Sequence, residues 1–75
     1  MNQQEQAIQQ LDLFTRRLLK NAAESRAYLE AGKARRASTG RPSARAIAVT
    51  EPTVREEEAL ARGAQGVRAL FNEKR

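Results

Sequence analysis

Large apolar residues recur along one side of the first thirty positions: Ile8, Leu11, Phe14 and Leu18, thinning to Ala22 and Leu29. Steps of three and four are the period of one helical face. The segment is built from Gln, Glu, Leu, Ala, Arg and Lys, all good helix formers, with no Pro or Gly before Gly32. This predicts a helix over roughly residues 3–31, with Gly32 as its C-terminal cap. Asp12 and Arg16, and Arg26 and Glu30, stand four apart and support it as ion pairs. Ala7, Leu11, Phe14, Leu18, Asn21 and Ser25 follow a heptad that turns polar after about two repeats. The helix therefore packs on a partner helix without the signature of a sustained supercoil. Leu13, Leu19 and Tyr28 make the stripe wider than a lone surface helix needs.

A second helical pattern occupies the C-terminal third. Thr53-Val54-Arg55-Glu56 matches a capping box, and Pro52 closes off helix upstream of it. Glu56, Glu57 and Glu58 come early, and Arg68, Lys74 and Arg75 late, an order that suits the helix dipole. Leu60, Val67, Leu70 and Phe71 supply its apolar contacts. Gly63 and Gly66 weaken its middle and mark either a break or a close approach by another helix. Between the two helices, Ser38-Thr39-Gly40-Arg41-Pro42-Ser43 is strong turn punctuation. Residues 44–50 then alternate, with Arg45, Ile47 and Val49 on one side, a pattern that allows one short strand.

These elements predict an all-α fold of one small domain. An amphipathic helix covers 1–32, a flexible basic linker containing Gly and Pro covers 33–50, and a capped helix covers 51–75. Apolar residues make up 40% of the 75, but fourteen of the thirty are Ala, so sixteen remain to fill a core. A core that thin calls for completion by a second copy or by a larger partner protein. The expected contact surface is Ile8, Leu11, Phe14 and Leu18 with Val67, Leu70 and Phe71. Phe14 and Phe71 read as core.

Charge sharpens this picture. The net charge is +5, and it is not spread evenly. Residues 1–32 balance four cations with four acids, and residues 47–75 balance five with five. The whole excess lies in residues 33–46, as Lys33, Arg35, Arg36, Arg41 and Arg45 with no acid among them. A local block of one sign attracts polyanions. These five residues are the candidate nucleic-acid contacts, made to phosphate, since no aromatic lies within the block to read bases. The expected protein is a small DNA-binding or RNA-binding accessory protein, dimeric and cytoplasmic. The alternative is a helical interaction module, such as an adaptor, inhibitor or assembly subunit, that docks on a larger protein.

Several functions are disfavoured. With no Cys and no His there is neither a disulfide framework nor a Cys/His zinc site, and the usual proton shuttle is missing. No Ser stands beside a candidate base, and three consecutive glutamates point around a helix instead of converging. The expectation is a non-enzyme with no cofactor and no metal. No run approaches the ~18 apolar residues of a membrane span.

Gly40-Arg41-Pro42 resembles the core of an AT-hook, with Thr39 where that family carries Arg. The resemblance implies an extended segment laying Arg41 along an A·T-rich minor groove. A helix-turn-helix around Ala59 and Gly63 would bury the charged Glu58 and Arg62. A ribbon-helix-helix using 44–50 as its strand would set Arg45 in the major groove and leave only about 25 residues for two helices.

Overall fold

In a computed structural model that describes residues 2–73, the chain is two long helices folded back on each other. Helix α1 spans Gln3–Thr39 and helix α2 spans Ala44–Glu73. The hairpin measures 55 × 17 × 14 Å. Its long axis is what 37 helical residues occupy at about 1.5 Å each.

Asn2 caps α1: its side chain accepts from the Glu5 N–H at 2.8 Å. The helix does not stop at Gly32. It runs on through the basic residues to Gly40, whose φ of 78° and N–H to Arg36 carbonyl bond (2.8 Å) end it in the left-handed conformation. Gly32 instead lies buried against the turn, where a Cβ would stand 3.5 Å from Cγ of Pro42.

The turn is therefore Gly40–Ser43, much shorter than the expected linker of 33–50. It contains a cis Arg41–Pro42 peptide. Ser43 caps α2, with its Oγ accepting from the Ala46 N–H at 3.1 Å. No strand forms among the described residues, and 44–50 is the first part of α2. Pro52 sits inside that helix and not ahead of it. Pro52 and Ala48 are both exposed, so water can reach the Ala48 carbonyl left without a donor, which lowers the cost of the missing bond. Local signals favoured a start at Thr53; tertiary contacts of Ile47 and Glu51 with α1 override them. Because α2 is continuous past Gly63 and Gly66, a helix-turn-helix is ruled out there. The absent strand removes the ribbon-helix-helix, and a tight turn between helices is not the extended segment of an AT-hook. Lys74 and Arg75 lie outside the described residues.

The seam explains the pairing. Ile8, Thr15, Ala22 and Leu29 are buried at intervals of seven on α1, and Val54 and Ala61 on α2. Half-buried Leu11, Leu18 and Ser25 continue the α1 register, and Ile47, Thr50, Glu57, Ala64 and Arg68 that of α2. These are two antiparallel heptad stripes. Small residues at Ala22, Gly32 and Ala61 bring the axes close. Thr15 is tolerated because its Oγ1 donates to the Leu11 carbonyl at 2.7 Å.

Phe14 and Phe71, expected in the core, are 55% and 37% exposed. The seam is phased on Ile8 rather than Ala7, and one residue of phase, about 100°, swings Phe14 out of it. Among the described residues no helix is long and apolar enough to cross a membrane.

Candidate functional site

The hairpin has two unlike faces. On one, charges zip the helices together. Arg26 is the hub: its Nε and Nη2 donate to the two carboxylate oxygens of Glu58 at 3.0 and 2.7 Å, and its Nη1 reaches Glu51 at 2.9 Å and Glu30 at 3.1 Å. Lys33 Nζ joins from one heptad on, 3.1 Å from Glu51 and 3.3 Å from Glu30. Asp12, expected to pair with Arg16, accepts a hydrogen bond from Arg68 across the seam. Between the two faces, at the seam itself, Ser25 Oγ donates to Glu57 at 2.6 Å.

This network shifts its members. The Lys33 hydrogen bond, aided by the Arg26 charge, holds the Glu51 carboxyl below the usual carboxylate range despite its partial desolvation. Arg26 does the same to Glu58. Glu51 chiefly pushes the Lys33 ammonium up, as Glu58 does the Arg26 guanidinium. A lowered carboxylate contributes stability above its unfolded value near 4 and loses it as pH falls through the folded value. A raised lysine contributes below its unfolded value near 10.4 and loses it as pH climbs through the folded one. Thermal unfolding followed by circular dichroism should thus show a midpoint that is flat between roughly pH 5 and 10 and drops on both sides. The Arg26→Gln variant should lose the part of the acid-side drop that comes from Glu58 and keep the part that Lys33 holds on Glu51. An unchanged acid limb in that variant would mean the Arg26 pairing contributes nothing.

The opposite face carries a long groove with three different stretches. At the open end Leu11, Phe14, Leu18, Leu60 and Val67, with Glu56 as the one charged side chain, line a mainly apolar trough of about 770 Å³. The middle is polar, with Asn21, Glu24, Ser25 and Glu57. At the turn end Tyr28, Arg35, Thr39, Arg41 and Thr50 surround a cavity of about 540 Å³ floored by Leu29, Gly32, Pro42 and Ile47.

The five expected phosphate contacts divide accordingly. Lys33 belongs to the ion zipper. Arg36 is half-buried, and its Nη1 donates to the Gly40 carbonyl at 3.2 Å, the place for a cation at a helix C-terminus. Arg35, Arg41 and Arg45 are exposed, and among the described residues none of the three makes an ion pair with a carboxylate. All three lie within the turn or one to two helical turns of it, in a stretch from Lys33 to Thr50 that contains no acid. The block is not pliable along its length, but its charge does project from one end of a rod. The first turn of α2 holds no acid either, so its dipole adds to the positive potential.

Of the expected contact residues, Ile8 is already buried within the single chain, and Leu11 and Leu18 are half-buried. Phe14, Val67, Leu70 and Phe71 remain exposed. Among the described residues no cluster of potential metal ligands occurs.

The site roles of Arg26, Glu51, Glu58 and Tyr28 escaped the sequence. Arg26 with Lys33, and Glu51 with Glu58, are matched pairs seven apart on facing helices, legible once the heptad phase is known. Tyr28 stands seven before Arg35, and so on the same side of α1. The chain matches no protein family, no curated protein and no solved structure.

Proposed function

We propose that this chain is a small non-enzymatic accessory protein of the cytoplasm that binds nucleic acid by its phosphates through the cationic turn of the hairpin. The observation that carries the reading is the contrast among its cations. Lys33 and Arg26 are held by the molecule's own glutamates, while Arg35, Arg41 and Arg45 project from the rod's end without an acid beside them. Fixed charge at the tip of a narrow rod suits a polyanion, which gains when condensed counterions are released. Contact by Arg35, Arg36, Arg41 and Arg45 predicts that log K for duplex DNA falls with log salt at a slope of about −3 to −4. Absence of binding to any polynucleotide at roughly 50 mM salt would sink this reading.

A second reading rests on the apolar trough. Phe14 and Leu60 leave 55% and 62% of their surface in water beside Val67, an unusual exposure for so small a protein. We read its occupant as a second copy of the chain. Paired side by side in the same direction, two hairpins set trough on trough and bring both cationic turns to one end, so the pairing serves the first reading as well. Light scattering that shows a monomer at all concentrations would exclude it.

A further inference from the structure

The cavity at the turn end combines features that duplex phosphate binding does not need. Tyr28 is 72% exposed, more than any other large apolar or aromatic side chain described. It forms one wall of the cavity. Arg35 and Arg41 form the rim, and no carboxylate lines any part of it. The floor is apolar, from Leu29, Pro42 and Ile47, and Gly32 leaves room there that a larger side chain would take. Thr39 fixes the rim: its Oγ1 donates within reach of the Arg35 and Arg41 carbonyls, at 2.9 and 3.2 Å, and accepts from the Arg41 N–H at 3.2 Å. Its volume of about 540 Å³ lies within the range of small-ligand sites.

We propose that this cavity takes an unpaired nucleobase with its flanking phosphates, so that the preferred ligand of the cationic turn is single-stranded nucleic acid. The inference rests on the reading of the turn as a phosphate-binding end and adds the class of ligand. An exposed aromatic beside unpaired guanidinium groups is the pairing by which proteins hold single strands: the ring stacks on a base while the cations follow the backbone. In a duplex both faces of each base are already stacked, so Tyr28 has nothing to receive. The sequence hides the arrangement, because Tyr28 lies seven residues outside the basic block, and only a continuous α1 places it beside Arg35.

Tyr28 also supplies its own probe, since the chain contains one Tyr and no Trp. Tyrosine emission should be quenched when oligo(dT) is added and stay unchanged with a duplex of equal phosphate number. In anisotropy titrations at fixed salt, Tyr28→Ala should weaken oligo(dT) binding roughly ten- to a hundredfold, the range reported by removal of one stacking ring. Tyr28→Phe should stay within about twofold, and duplex affinity should be unaffected by either change. Exposure of the side chain makes misfolding a minor concern, and circular dichroism of both variants checks it. If duplex binds but Tyr28→Ala lowers duplex and single strand equally, or lowers neither, the cavity is not a base site and the phosphate reading survives alone. If no polynucleotide binds at all, both fall.

Discussion

Val54→Asp is expected to unfold the hairpin. Val54 is the largest fully buried side chain, 2% exposed, and it sits in the middle of the seam. The nearest cation, Arg26, is already taken by Glu51 and Glu58 on either side of Val54, so a third carboxylate there is buried without a free partner, which costs several kcal/mol. A domain of this length is stable by only about 4–11 kcal/mol, and a two-helix core stands at the lower end. Val54→Ala removes two methyl groups from the same place and should cost only about 1–2 kcal/mol, leaving a cooperative transition at a lower temperature. Leu13→Gln removes a larger apolar group from an exposed position and should change stability by less than about 0.5 kcal/mol. Far-UV circular dichroism with thermal melting ranks the three. A Val54→Asp protein that still melts cooperatively within a few degrees of wild type would show that the seam is not what holds the helices.

The ordering of those variants depends on a seam that large apolar residues alone do not reveal. The two-helix, all-α architecture follows from the periodicity of Leu, Ile and Phe. The phase of the packing does not, because four of the seven buried positions described are Thr15, Ala22, Gly32 and Ala61. Small and hydroxyl residues carry little signal on a hydropathy scale, yet they permit close approach of two axes. For the same reason the heptad of α1 looked exhausted after Leu18, whereas Ala22, Ser25, Leu29 and Gly32 carry it to the turn. The ends of the helices misled for a different cause. Gly32 and the Thr53–Glu56 box are genuine local signals, but a helix stops where its contacts stop, and Lys33, Ile47 and Glu51 still have contacts across the pair. Charge counting located the cationic end correctly in the chain. It could not separate Lys33, which the zipper holds, from Arg41, whose guanidinium enters no ion pair among the described residues.

That separation sets the second large effect. Arg35, Arg41 and Arg45 changed together to Gln should lower duplex affinity on the order of a hundredfold or more at roughly 50 mM salt, and flatten the salt slope to about −1. The fold should be untouched, because all three side chains are exposed and none enters an ion pair among the described residues. Arg36 is left in place since it donates to the carbonyl that ends α1, and its loss would confuse binding with fraying of the turn. Lys33→Gln is the informative opposite. It removes the same unit of charge from the same block of sequence, but that charge already faces Glu30 and Glu51. Its slope should match wild type within error, while its melting temperature falls slightly at neutral pH. If instead Lys33→Gln flattens the slope as much as any one arginine does, the ion zipper opens on binding. If the triple variant keeps a slope near −3 to −4, phosphates are held elsewhere on the rod, with Arg16, Arg17 and Lys20 on α1 the next cations to test.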